Sequence, residues 1–264
     1  MATGRIRQKD YRCYVNGYDL SGYSRTIGPL SIEYDEADLT AYMSDTTKGY
    51  LPNQPKVNLG TLNAVFDNTV TVGLHAQMAT AGVSKNVIVP IGIRAAPAQG
   101  DPCFGGTFLD SAYQVTNNGG AVTATIPFAG WAADATTRDY DLAWGILLHE
   151  NVARLTAAGP NDQLGFDNPA GAATAKGGFM IYQVLATSGA GHTATISVDD
   201  AAANTVDGDF APLAGCSTGS IAMPVGQCGI VIPTTLTIRR YLRFQIAFGT
   251  ATSLTWVCAF MRKY

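Results

Sequence analysis

Charge is the scarcest feature of this 264-residue chain, since Asp, Glu, Lys and Arg make up only 14% of it, against about 25% in an average globular domain. With 17 basic and 20 acidic residues, the net charge is -3, so the chain lacks the basic surplus with which nucleic-acid-binding proteins contact phosphates. No apolar run approaches the ~18 residues of a membrane-spanning helix, and the first twenty residues lack the apolar segment of a signal peptide. We therefore expect synthesis in a cytoplasm and no membrane association.

Sequence motifs of the common enzyme classes are missing as well. We find no G-x-S-x-G, no G-x-x-x-x-G-K-[ST], and no G-x-G-x-x-G after a strand pattern. His149-Glu150 begins like the H-E-x-x-H zinc motif, but Ala153 stands where the second histidine is needed. The five cysteines form no C-x-x-C pair, and we expect buried free thiols, with a Cys216–Cys228 disulfide as the alternative. The sequence thus predicts no enzyme, no cofactor and no metal site.

Acidic residues concentrate in one short stretch, which contains Glu33, Asp35, Glu36 and Asp38. On a strand the first two would share one face and the last two the other, which favours a solvated face over a catalytic carboxylate pair. Two later acidic pairs are expected to lie in loop turns, with calcium binding as the alternative: Asp199-Asp200 and Asp207-Gly-Asp209.

A small basic cluster consists of Arg239, Arg240 and Arg243, with Tyr241 between them. On a strand, Arg239, Tyr241 and Arg243 would share a face. That face could bind phosphate or the acidic groups of a neighbouring subunit, and a solvated strand face is the alternative.

Alternating apolar and polar residues predict a mainly β protein with one helix over Thr69–Ala81. Asn16-Gly17 and Asn117-Asn-Gly-Gly120 each predict a hairpin turn. Residues 40–55 are rich in turn formers and end in two prolines, which predicts a long exposed loop. Further strands are expected in the following stretches: 30–39, 56–66, 87–93, 107–115, 121–128, 141–150, 179–186, 192–198, 219–223, 235–248 and 253–261.

The composition of residues 159–178, GPNDQLGFDNPAGAATAKGG, is that of a linker or large loop. It divides the chain into residues 1–158, and residues 179–264, which we expect to form a C-terminal β-sandwich domain. If the division is right, a chain truncated after about residue 158 should still assemble. Residues 156–264 carry six basic and six acidic residues, so the negative excess lies in residues 1–155.

The first seventy residues resemble the major tail (tail tube) proteins of long-tailed bacteriophages. Three stretches carry the resemblance: Tyr14-Val-Asn-Gly-Tyr-Asp-Leu-Ser-Gly-Tyr23, Met43-Ser-Asp-Thr-Thr-Lys-Gly-Tyr-Leu-Pro52, and Val57-Asn-Leu-Gly-Thr-Leu-Asn-Ala-Val-Phe-Asp67. The chain departs from that pattern at Asn53 and Asn63, where glycine is usual in the family.

The resemblance implies a tail-tube-type β-sandwich or barrel with one flanking helix, assembled as stacked, usually hexameric rings whose lumen passes DNA. It places the contact between rings in the loop that carries Tyr42, Met43, Asp45, Lys48, Tyr50 and Leu51. The implied partners are further copies of the chain, the tape measure and tail terminator proteins, and transiently genomic DNA; the implied location is the virion tail. The acidic cluster and the basic cluster then become candidate lumen or interface groups.

Two other functions fit the same charge-poor, β-rich profile. One is a capsid decoration protein or another head protein, and the other is a carbohydrate-binding or carbohydrate-acting protein. Low charge favours assembly, because obligate interfaces resemble a domain core cut in half.

Overall fold

The computed structural model describes residues 10–38, 50–92, 95–117, 119–131, 143–155, 164–167, 175, 177–189 and 191–262, with the backbone alone for 34–38, 50–56 and 131. These residues form a mainly β structure with curled sheets and one short helix, α1 (Leu74–Met78). A mainly β fold with one helix was the prediction, and it is confirmed.

The largest sheet has twelve strands, which come from both the early and the late part of the chain. They are β1 (Tyr14–Val15), β2 (Tyr18–Asp19), β3 (Ser24–Gly28), β6 (Gly60–Val65), β7 (Ser84–Pro90), β8 (Pro102–Asp110), β9 (Gln114–Asn117), β10 (Val122–Trp131), β11 (Trp144–Leu155), β13 (Gly178–Gly189), β17 (Cys228–Val231) and β19 (Ala251–Arg262). The main path runs β17-β13-β19-β11-β8-β10-β6-β3, and β7, β1 and β2 continue outward from β8.

A second sheet has five strands and packs face to face on the late strands of the first. It contains β12 (Phe166–Asp167), β14 (Thr193–Ala201), β15 (Ala211–Ser217), β16 (Ile221–Ala222) and β18 (Tyr241–Phe248). A third, two-stranded sheet pairs β4 (Ser31–Asp38) with β5 (Tyr50–Asn58). We call this pair the ribbon.

Three apolar cores lie side by side, and the large sheet separates them. One fills the space between the two large sheets, a second lies between β13/β19 and β1/β7/β8, and a third lies under α1, β6 and β10. In β19, Trp256 belongs to the first core and its neighbour Val257 to the second, so this strand is buried on both faces. A strand buried on both faces reads as a continuous apolar run, as 256–261 does.

Local turn chemistry explains the elements that were predicted correctly. Asn16 and Gly17 have φ of 48° and 81°, the positive values that a two-residue hairpin turn requires, and they join β1 to β2. β9 and β10 likewise pair on either side of the second predicted turn, with Asn117 opposite Val122, and the strand expected at 141–150 is present as β11 from Trp144 onward.

Three predictions of local structure are wrong. The helix is limited to five residues because Asp67 accepts hydrogen bonds from Thr69 in a turn, and Gly73 rather than Asp67 precedes the helix. Part of the predicted loop, Tyr50–Pro55, belongs to β5 despite its two prolines, which a strand with one partner tolerates. Residues 235–240 precede β18 and lie outside it.

The predicted division of the chain concerns segment 159–178, of which the structure describes 164–167, 175, 177 and 178. Strands on both sides of this segment share one sheet: β19 lies beside β11, with Ile146 opposite Phe260 and Ala153 opposite Thr255. The two parts therefore share hydrogen bonds and a core. The domain boundaries themselves stay a prediction.

Candidate functional site

The ribbon contains Tyr50 and Leu51, the described end of the stretch predicted to join subunits. Its base is fixed in the third core by Val57, which is 3% exposed, and by the half-buried Leu30 and Ile32. The two strands pair in register from Ser31 opposite Asn58 out to Asp38 opposite Tyr50. The ribbon thus extends for eight residues from an anchored base.

A β-bulge interrupts the ribbon halfway along its length. Tyr34 lies opposite Pro55 and Glu36 opposite Pro52, so Asn53 and Gln54 of β5 face the single residue Asp35 of β4. An extra residue on one strand bends a ribbon and increases its twist. The outer half therefore points in a different direction from the anchored half.

Within the described residues, neither ribbon strand pairs with a third strand. Both edges therefore carry backbone N–H and C=O groups that no described strand satisfies. Two-stranded ribbons are marginal in water by themselves, and open edges invite pairing with another chain.

The predicted contact residues of the loop fall mostly outside the described part of the chain. Tyr42, Met43, Asp45 and Lys48 lie within 39–49, which the structure does not describe. The backbones of Tyr50 and Leu51 begin β5. Their role in assembly stays a prediction.

The acidic cluster lies on β4, on the same ribbon. Glu33 is exposed and accepts a hydrogen bond from the Ser31 hydroxyl at 2.8 Å, whereas Asp35, Glu36 and Asp38 are described by backbone alone. The structure thus places this cluster beside the predicted contact loop, and its function as a lumen or interface surface stays a prediction.

The three arginines of the basic cluster pair with different carboxylates of the same chain. Arg243 is 4% exposed and lies directly opposite Asp199 on the neighbouring strand, with Nη2 3.0 Å from Asp199 Oδ2. Its Nη1 donates to Asp207, and its guanidinium lies 4.3 Å from the Phe210 ring centroid. Gln245 also donates to Asp199, at 2.6 Å.

The other two arginines are more exposed. Arg240 makes a two-pronged contact with Asp167, through Nε at 3.0 Å and Nη2 at 2.7 Å, and this contact lowers the pKa of Asp167. The Arg239 side chain approaches Asp200 at 3.8 Å, while its backbone N–H donates to the same carboxylate at 2.9 Å. Binding of a neighbour's acidic groups by this cluster stays a prediction.

The pairing of aspartates with these arginines was not predicted from the sequence. Asp199 and Asp200 were expected in a loop turn, but they end strand β14 and face arginines of β18 and the segment before it. Asp207–Asp209 does form a tight turn, in which Asp209 accepts hydrogen bonds from Thr205 and Val206. The one signal in the sequence was the equal number of basic and acidic residues after position 155, six of each.

The residues considered for metal or redox chemistry are structural here. The His149 ring stacks on Trp256 at 4.3 Å in the core between the two large sheets. All five cysteines are free thiols, four of them buried, and burial raises the pKa of the Cys13 thiol to about 12. Among the residues that the structure describes, no group of three His, Cys, Asp or Glu side chains is arranged to hold a metal ion.

The described helix is too short to cross a membrane.

Comparison with known proteins gives a distant likeness among solved structures. Neither a protein-family model nor a curated protein sequence matches the chain. Among solved structures, the chain is similar to SPP1 Dit (gp 19.1), described as a paradigm of hub adsorption apparatus in Gram-positive infecting phages. The TM-score is 0.33 and the identity 13%, over 96% of this chain and 99% of that chain. A likeness this distant carries no argument about function.

Proposed function

We propose that the chain is a structural subunit of a bacteriophage tail, without enzymatic activity, that assembles with its own copies into stacked hexameric rings. The rings form a tube through which genomic DNA passes. The observation that carries the proposal is the ribbon, which has an anchored base, two edges open within the described residues, and the family-like stretch 43–52 at its outer end.

Physical chemistry supports an assembled state. A ribbon with open edges gains hydrogen bonds when a neighbouring subunit covers it. Large aliphatic side chains at the surface also favour burial against neighbours. Within the described part of the chain, the exposed ones are Val65, Val70, Val72, Val83, Val115, Val152, Leu155, Leu164, Val206, Val225 and Leu236.

The charge balance suits a DNA conduit. A basic lumen would bind phosphates tightly through counterion release and would slow the passage of DNA. This chain has a net charge of -3, and each arginine of its basic cluster lies beside a carboxylate of its own. Contact with DNA would therefore be weak and transient.

The further partners in this proposal follow from the resemblance in residues 14–67. They are a tape measure protein inside the tube and a terminator protein at its end. The subunit would be made in the host cytoplasm and would end in the virion tail.

Electron microscopy of the purified full chain tests the proposal. We expect rings of six copies that stack into tubes at high protein concentration. Single rings that never stack would instead indicate a hub, compact trimers would indicate a capsid decoration protein, and monomers that cleave polysaccharide would indicate an enzyme. Each of these three outcomes contradicts the tube.

The double variant Tyr50→Ser/Leu51→Ser tests the predicted contact between rings. We expect it to leave the melting temperature unchanged and to prevent stacking. The comparison variant is Val152→Ser/Leu155→Ser, which replaces two exposed aliphatic side chains of β11, outside the ribbon; we expect its rings still to stack, even if contacts within a ring are weakened. Normal tubes from the Tyr50/Leu51 variant would show that this end of the ribbon makes no contact between rings.

A further inference from the structure

A cleft of about 350 Å³ opens where β11, β13 and β19 extend beyond the second core. Its floor contains Thr255 of β19, which lies between Ala153 and Ala186 in register, and the half-buried Leu185. The mouth of a curled sheet is a common position for a ligand site, because the sheet fixes the surrounding side chains.

The hairpin formed by β1 and β2 makes one wall of the cleft, with Tyr18 and Asp19 on it. The Gly17 N–H donates to the buried Gln183 side chain of β13 at 2.8 Å, which fixes the hairpin against the sheet. The Tyr18 ring also lies against Gly226, where an added Cβ would come within 3.5 Å of it. This wall is therefore rigid.

Tyr23 lines the same cleft, and a second polar contact fixes its position. Its hydroxyl hydrogen-bonds Asp67, which raises the pKa of Tyr23; the pKa of Asp67 is lowered chiefly by its hydrogen bonds with Thr69 and less by Tyr23. Val72 and Val225, each about half exposed, form the apolar rim. Two tyrosines, one on the β1–β2 hairpin and one just after it in the chain, thus line one open space.

The charge of the lining has one sign. Asp19 is exposed and accepts hydrogen bonds from the Ser21 N–H at 2.9 Å and from the Asn151 amide at 3.2 Å. Among the described residues that line the cleft there is no Lys, Arg or His. An anionic ligand would meet Asp19 with no cation to offset the repulsion, whereas a cation would gain from it.

From the two tyrosine rings and the carboxylate around this cleft, we propose that it binds an organic ammonium cation, such as a quaternary ammonium group. Aromatic faces attract such cations through their quadrupoles, and alkyl groups on the nitrogen pack on the rings. Asp19 supplies the opposite charge, and Thr255 and Asn151 offer hydrogen bonds to a polar group on the same ligand. This site is independent of the ribbon and of the tail proposal.

Titration of the full chain with choline, followed by NMR chemical shifts, tests the site. We expect saturable binding, with the largest shifts at Tyr18, Asp19 and Asn151. The neutral comparison ligand is 3,3-dimethylbutanol, which has the same shape with carbon in place of nitrogen. Because this neutral ligand lacks the positive charge, we expect it to bind at least about tenfold more weakly than choline. Equal binding of the two ligands, no saturation with choline, or shifts confined to other residues would overturn the proposal.

Two variants separate the charge from the rings. Asp19→Asn should weaken choline binding about tenfold and remove most of its salt dependence, because the carboxylate attraction is screened by salt. Tyr18→Leu should weaken it by a similar factor while leaving the salt dependence in place. The matched control is Asp101→Asn, since Asp101 also accepts one backbone N–H in a turn but lies outside the cleft. Unchanged affinity in Asp19→Asn, or an equal loss in Asp101→Asn, would refute the assignment.

Discussion

At the scale of single residues, burial decides what the arginines do. Arg243 and Asp199 are both nearly inaccessible, and the hydrogen bonds from Gln245 and to Asp207 complete their polar contacts. A buried ion pair adds little net stability over an apolar pair, but removal of one partner leaves an uncompensated charge. Arg240 and Asp167 have similar bond distances but lie in water, where screening reduces the effect.

Arg243→Met tests this difference. We expect a loss of about 3–5 kcal/mol in the free energy of unfolding, because Asp199 would remain buried without its cation. The measurement is denaturant unfolding near neutral pH, with Arg240→Met as the control that should change stability far less. Similar losses in both variants would show that burial of the Arg243 pair is not decisive.

The raised pKa of Asp200 predicts that the stability of the fold depends on pH. Burial, the largest effect, raises this pKa above the ordinary 3.8, although the Arg239 N–H and guanidinium act in the opposite direction. The folded state therefore holds this proton more tightly than the unfolded state. The resulting stabilisation is complete below pH 3.8 and is lost as the pH rises through the raised pKa.

The Asp200→Asn variant should remove this pH-dependent loss of stability, because asparagine carries no charge to bury. Its amide oxygen can still accept the hydrogen bond from the Arg239 N–H. At pH 7 we expect a melting temperature equal to or above that of the original chain, and a difference that shrinks as the pH falls toward 3.8. Thermal unfolding across this pH range is the measurement. A clearly lower melting temperature at pH 7 would mean that the Arg239 contact outweighs burial.

A side chain added at Gly17 should destabilise the fold in two ways that can be separated: through strain in the backbone and through clashes with neighbouring atoms. Gly17 has a φ of 81°, and an added Cβ would lie 2.5 Å from Gly226 Cα and 2.8 Å from the Val184 oxygen. Gly119 has a similar φ of 78°, but an added Cβ would meet nothing within 4 Å. Gly119→Ala should cost about 1 kcal/mol from the backbone alone, and Gly17→Ala clearly more. Equal losses of unfolding free energy in the two variants, measured with denaturant, would show that the β1–β2 hairpin can move away from Gly226.

At the scale of elements, sequence patterns identified the structures that short-range chemistry determines. Asn16-Gly17 predicts its hairpin because the turn needs positive φ at both residues. The two prolines of β5 led to the wrong prediction of a loop. Proline destabilises a strand that pairs on both sides but is tolerated in a strand that pairs on one side, and the number of partners cannot be read from local sequence. Arg239 was wrongly placed on a strand for the same reason: its contacts with Asp200 replace strand pairing.

The ribbon predicts that its end can be removed without loss of the fold. Asp38 and Tyr50 are opposite each other, so a two-residue Asn-Gly turn in place of 39–49 would close the hairpin. We expect an unchanged melting temperature, because Val57 and the base remain in the core, and a loss of tubes in electron microscopy. Normal tubes would show that the ribbon end is dispensable for assembly, and a large drop in melting temperature would show that it supports the fold.

At the scale of the whole molecule, the arrangement of strands could not be read from the sequence. A continuous apolar run such as that of β19 shows that a strand is buried on both faces, but not which strands lie on either side. Composition alone suggested separate parts at 159–178. In the structure β19 lies between β13 and β11, in contact with both the first and the second core, and composition gave no sign of this shared sheet.

Truncation after residue 158 now has an expected outcome opposite to the one that composition suggested. The shortened chain would lose β19 and β13, leaving β11 without its partner on that side and exposing Leu147 and Ile88 of the second core. We expect aggregation rather than tubes, measured by sedimentation and electron microscopy. A soluble, folded chain of residues 1–158 would show that the early part is an independent domain.

The central position of β19 also has a consequence for synthesis. A ribosome makes the chain from the N-terminus, so β19 is translated after every other described strand, yet it lies between β13 and β11. The ribbon is translated long before the sheet that supports the molecule can close. Folding of the large sheet must therefore wait until translation has passed residue 262, and neighbouring nascent chains on one messenger would expose unpaired strands until then.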